Sequence, residues 1–151
     1  MPLANAPAYA RRSLRRGSAP QPWESRLLRL IAEQQAIPLD QLARFLDCEQ
    51  AQAARLVRHL TAAELADYGR ILHGEPHWVW LTGRGIRHSG IPGAAARPGL
   101  GAIERIRAVN AVRLHITERV PEVQWVCARS LLSQQGRSGH RPNAVVEVEG
   151  E

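Results

Sequence analysis

Gln52, Arg55 and Arg58 recur at steps of three residues, with His59 beside the last of them. They are interleaved with Ala53, Ala54, Val57 and Leu60, whose spacing of threes and fours is that of one buried helix face. Turning that apolar set inward leaves Gln52, Arg55, Arg58, His59 and Ala62 toward solvent. Arginine can form paired hydrogen bonds to guanine and glutamine to adenine, so such a face can read base edges. Gln50 falls near the start of the same helix, where a phosphate is favoured. Further along, Arg70, His73 and His77, then Arg84, Arg87 and His88, are placed to touch phosphates or a minor groove. The competing reading is a solvated helix face with no ligand.

Other combinations of residues fail on geometry. His73-Gly74-Glu75-Pro76-His77 has the composition of a zinc-protease box, but that box needs both histidines on one helical turn, and glycine with proline prevents it. Cys48 falls in a break between helices and Cys127 in an apolar strand, without histidine at ligand spacing, so both read as structural thiols. No glycine-rich phosphate loop, nucleophile elbow or paired-carboxylate pattern occurs. The expectation is a protein with no catalytic residues, no metal and no cofactor.

Charge points the same way as the helix face. The 151 residues carry +6, and all twenty basic residues are arginine. Thirteen arginines and eight acids lie in residues 1–99, against seven and six in 100–151, so the excess sits in the first part. A GC-rich coding bias accounts for arginine in place of lysine but not for that distribution. The excess is compatible with an anionic partner, nucleic acid or a membrane surface, and the expected partner is double-stranded DNA with no membrane. No run approaches the roughly 18 apolar residues of a membrane span. Two cysteines and no apolar leader point to reduced thiols and a cytoplasmic setting.

Positioning the helix face requires a scaffold. Residues 1–22 hold four prolines and four arginines without an acid, and read as a flexible basic arm, or as a solubilising tail. Leu27, Leu28, Leu30, Ile31 and Ile37 give the apolar side of a first helix. Pro38 opens a short second one that buries Leu39, Leu42, Ala43, Phe45 and Leu46. Asp47-Cys48-Glu49 breaks the chain before the third helix, residues 50–63. The period then changes to two: strands over 65–72 and 77–81 flank a Gly74-Glu75-Pro76 turn, with Trp78 and Trp80 on one side and packing as their expected role. Thr82 caps a helix over 83–89, and the Gly/Ala/Pro-rich residues 90–99 read as a linker. A long helix over 100–119 shows Leu100, Ile103, Ile106, Val109, Val112, Ile116 and Val120 as its apolar stripe. A strand over 122–127, a helix over 129–134 and a strand over 144–149 complete the chain.

Three helices, a tight break before the third and an immediate hairpin make an order that resembles the winged helix-turn-helix family. Leu39, Leu42, Ala43 and Leu46 match its second helix, Val57 and Leu60 the core side of its recognition helix, and Leu65 the start of its wing. Glu64 stands where many members carry glycine.

Across residues 24–151 the chain also resembles the replication-relaxation family of plasmid and mobile-element proteins. The resemblance rests on Val109-Asn110-Ala111-Val112-Arg113-Leu114, Val123-Gln124-Trp125-Val126 and His140-Arg141-Pro142-Asn143-Ala144-Val145-Val146. It implies a winged helix joined to a nuclease-like domain related to the PD-(D/E)xK fold. That fold's metal site would use an aspartate after the proline, a glutamate-bearing strand and a lysine. Asn143 follows Pro142 instead, Glu147, Glu149 and Glu151 lie on the first strand and its turn, and the chain has no lysine. The second half therefore reads as a catalytically incompetent remnant, or as a domain cut short.

The expected fold is α+β, a winged helix-turn-helix over 23–89 followed by a small, incomplete α/β nuclease-like segment over 100–151. The expected function is non-enzymatic binding of double-stranded DNA in replication control or transcriptional regulation. Docking to a protein partner in a nucleoprotein complex is the alternative, and a metal-dependent nuclease fragment the second. An unfinished sheet has an open edge that invites a homodimer.

Overall fold

The computed structural model describes residues 20–135 and 142–148. The fold is α+β, with six helices and five short strands among the described residues. Helix α1 (Pro22–Gln34) starts on proline, which has no amide to leave unpaired there. The Glu24 carboxylate accepts the Gln21 amide at 2.6 Å. Its buried side is Leu27, Leu28 and Ile31, as the spacing requires.

Ile37 departs from the sequence expectation. It belongs to a three-residue strand, β1 (Ala36–Pro38), and lies opposite Val79. Helix α2 (Leu39–Phe45) follows at once. Residues 46–49 turn the chain through Asp47, which takes φ 50°, and α3 (Gln50–Ala62) begins on the far side. Strands β2 (Ala66–Gly69) and β3 (Trp78–Leu81) form the expected hairpin, shorter than its alternating pattern suggests and joined by residues 70–77. All pairs are antiparallel, and the sheet order is β1-β3-β2.

This sheet is covered on both faces, which is why all four residues of β3 are buried. Ile37, Ala66, Val79 and Leu81 join Leu27, Leu28, Ile31, Leu42, Val57 and Leu60 in the main core. Ala36, Trp78 and Trp80 point the other way and meet Ile103 and Ile106 of α5 (Leu100–Arg119). The tryptophans do share one side of the hairpin, and that side is core.

Between β3 and α5 in sequence comes α4 (Gly83–Ser89), whose Gly85 amide is capped by Thr82 Oγ1 at 3.1 Å and whose Ile86 joins the main core. A Cβ at Gly85 would overlap the Leu65 carbonyl oxygen. Leu65 already accepts the Thr82 amide, so only glycine fits where this helix meets the strand.

Helix α5 has the predicted bounds but is rotated from the predicted face. Ile103, Ile106, Asn110 and Leu114 are buried, whereas Leu100 is 65% and Val112 52% exposed. The cause is Asn110, fully buried, whose side-chain amide donates to the Ala36 carbonyl at 3.1 Å. Satisfying an otherwise unpaired strand carbonyl outweighs burying one more valine. Gln34, oriented to satisfy its neighbours, donates to Asn110 Oδ1 (2.8 Å) and accepts from Arg113 (2.6 Å) and the Trp125 indole (3.1 Å). Arg113 is paired with Glu33 at 2.7 Å and lies over both Trp125 and Phe45. Burial pulls its pKa down, and Glu33 opposes that.

Strands β4 (Gln124–Cys127) and β5 (Ala144–Glu147) pair antiparallel, with α6 (Ala128–Gln135) between them in sequence. Cys127 reaches the main core, so the second half is packed onto the first. Both cysteines are free. Among the described residues no helix is long and apolar enough to cross a membrane.

Candidate nucleic-acid interface

Helix α3 is sharply two-sided. Ala53, Ala54, Leu56, Val57 and Leu60 are buried against the core, while Gln50, Arg55, Arg58 and Ala62 are exposed and Gln52 is half-buried. An extended Glu49 precedes the helix and accepts the Gln52 and Ala53 amides through its carbonyl at 3.0 Å each. Gln50 is therefore in the first turn, as expected for a phosphate contact. Asp47 and Glu49 are exposed beside it, and their carboxylates oppose an anion at that end. The favourable field lies further along, at Arg55 and Arg58.

His59 leaves the outward row. Its Nε2 is 2.7 Å from Glu24 Oε1, its ring centroid is 5.1 Å from that of Trp23, and its side chain is only 16% exposed. A row drawn from helical spacing alone could not anticipate an acid 35 residues earlier. Glu24 itself gave no sequence signal beyond its place in a first helical turn.

Arg84 is also committed within the protein. It donates to the Ala63 carbonyl at 3.3 Å and sits 3.8 Å from Glu64, closing the end of α3. Arg70, His73, Arg87 and His88 are exposed, Arg70 and His73 in the 70–77 loop and the other two on α4. His77 packs edge-on against Tyr68, ring centroids 5.0 Å apart.

Tyr68 is the residue that the sequence reading passed over. It lies on β2, and Arg58 of α3 is close enough to act on its hydroxyl. Partial burial raises the Tyr68 pKa and the Arg58 charge works against that, so the hydroxyl remains a neutral donor and acceptor. Helix α3 packs beside β2, and from β2 Tyr68 meets His77 at the other end of the loop. Only its strand position, two residues from Ala66 on the same face, could have marked it.

The arginines differ in what holds them. Arg29, Arg44, Arg84, Arg107 and Arg113 each have a carboxylate within 4 Å. Among the described residues, Arg26 on α1 and Arg55, Arg58, Arg70 and Arg87 have no ion-pair or side-chain hydrogen-bond partner. Arg55 and Arg58, exposed without acids on one face of α3, are suited to phosphates.

Of the residues that the nuclease-like resemblance singled out, Asn143 accepts from Arg105 through its side-chain oxygen at 3.0 Å, and Glu147 is exposed on β5. Among the described residues no three His, Cys, Asp or Glu side chains gather as metal ligands. Residues 1–19 of the basic arm, and Glu149 and Glu151, lie outside the described residues. Compared with protein-family models and with curated proteins, the chain matches none of either.

Proposed function

We propose that the chain is a non-enzymatic DNA-binding protein in which residues 23–89 act as a winged helix-turn-helix. Helix α3 enters the major groove of duplex DNA, and the 70–77 loop reaches the neighbouring backbone. Gln52, Arg55 and Arg58 supply base or phosphate contacts, with Arg70 and His73 in support. The setting is cytoplasmic, in replication control of a plasmid or mobile element or in transcriptional regulation, following the replication-relaxation resemblance.

One observation carries this reading: α3 buries one side completely and presents uncompensated arginines on the other. Support comes from the element order, helix, strand, two helices and two strands, with β1 paired to β3 on the edge opposite β2. That arrangement braces α3 from behind and leaves its arginine face open, as groove insertion requires.

The test is fluorescence anisotropy of a labelled duplex of random sequence at two salt concentrations. Binding that weakens steeply with salt is expected, since each neutralised phosphate releases counterions. Absence of duplex binding at low salt overturns the reading. Docking to a protein is the second reading, favoured by the exposed apolar side chains of Val112, Val145 and Val148 on the second half.

A further inference from the structure

The Gly/Ala/Pro-rich residues 90–99 are fastened along their length. Ile91 is buried, and its amide donates to Ser89 Oγ at 3.1 Å. Arg129 donates to the Ala94 carbonyl at 3.3 Å, and its side chain runs so close to Gly93 that a Cβ there would come within 3.1 Å of it. Gly93 has φ +133°, a conformation that side-chain-bearing residues rarely adopt. The third tie is Arg97. Its Nη2 donates to the Arg70 carbonyl at 3.1 Å, and its guanidinium carbon lies 5.7 Å from the centre of a Trp80 ring.

Arg70 is the first residue after β2, where the 70–77 loop leaves the sheet. Ile71 and Leu72 pack against the cluster of Trp78, Trp80, Ile103 and Ile106. One side of the loop base is thus held by α5, and Arg97 ties its backbone from outside. The ring under Arg97 belongs to Trp80, whose own position is set by the α5 contact.

We infer that Arg97 is a positioning residue for the hairpin loop: it fixes residues 70–77 in the free protein so that the Arg70 and His73 side chains are presented ready for DNA. The DNA part of this inference rests on the function proposed above; the fixing of the loop does not. Ordering a loop at the moment of binding costs affinity, and a contact made beforehand removes part of that cost. A tie to a backbone carbonyl suits this role because it restrains the chain whatever side chain follows.

Two measurements on Arg97→Ala test it. In the absence of DNA, amide hydrogen exchange over 70–77 should accelerate by roughly tenfold while α3 amides keep their protection. Unchanged exchange in the loop overturns the inference, whether or not the protein binds DNA. Acceleration everywhere also overturns it, because Arg97 would then support the whole fold.

The second measurement is a double-mutant cycle on duplex affinity with Arg70→Ala. Arg97→Ala should cost about three- to tenfold when Arg70 is present, and a smaller factor when it is absent and only His73 is left to present. Equal losses in both backgrounds, with the salt slope falling by about one for each arginine removed, mean that Arg97 touches phosphate itself and does not act through the loop. A wild-type chain that binds no duplex defeats the functional proposal, while hydrogen exchange still decides the tie.

Discussion

His59 of α3 points its Nε2 at Glu24 of α1, 2.7 Å from a carboxylate that is itself fully buried. The contact separates what α3 shows to solvent from what it uses to stay in place. Glu24 also holds the Gln21 amide at 2.6 Å, so one carboxylate starts α1 and anchors α3.

Removing His59 leaves that carboxylate buried without its ring partner. His59→Ala is expected to destabilise by about 1–3 kcal/mol, the range for taking a hydrogen-bond partner from a buried polar group. Urea unfolding measures this. Duplex affinity of the folded protein should change by less than for Arg58→Ala; an equal or larger change places His59 back among the DNA contacts.

Glu64 adopts φ +59°, in the left-handed region, directly after the turn that ends α3. A side chain there costs about 1–2 kcal/mol that glycine avoids, while glycine loses some of the gain to a freer unfolded chain. Its backbone carbonyl, which accepts from Thr82 Oγ1 at 2.8 Å, is kept in either case. Glu64→Gly should therefore stabilise by about 0.5–1 kcal/mol, read as a rise of a few degrees in Tm. A fall in Tm contradicts the strain argument.

Asn110 joins α5 to β1. Asn110→Ala leaves the Ala36 carbonyl without its side-chain partner and should cost about 1–3 kcal/mol. Because Cys127 and Asn110 tie the second half to the main core, loss of near-ultraviolet and far-ultraviolet circular dichroism should coincide in one transition, in the variant as in the parent. Two separate transitions indicate halves that fold independently.

How far these features were legible in the sequence depends on what kind of partner each residue has. The bounds of α4 and α5, and the buried set Ala53, Ala54, Val57 and Leu60, follow from local spacing and caps, and the structure has them. Ile37 was misplaced because a three-residue strand has no period of its own and exists only through β3. The rotation of α5 escaped notice because a polar Asn110 does not register as buried until its carbonyl partner is known. Of the residues nominated for DNA, Gln50, Arg55, Arg58, Arg70, His73, Arg87 and His88 are exposed, and Gln52 and His77 are half-buried. His59 and Arg84 are held by groups distant in the chain. Glu64 is the reverse case: it stands where the pattern that the sequence resembles often has glycine, and its φ of +59° is of the kind glycine favours.

The claim that α3 is the DNA-reading element is tested most directly by comparing two double variants in duplex binding at fixed salt. Arg55→Ala with Arg58→Ala removes two unpaired guanidinium groups from α3; Arg105→Ala with Arg119→Ala removes the same charge from α5. The account predicts a loss of at least about 30-fold for the α3 pair and under about threefold for the α5 pair. Equal losses would show that only net charge matters and would contradict the assignment of α3.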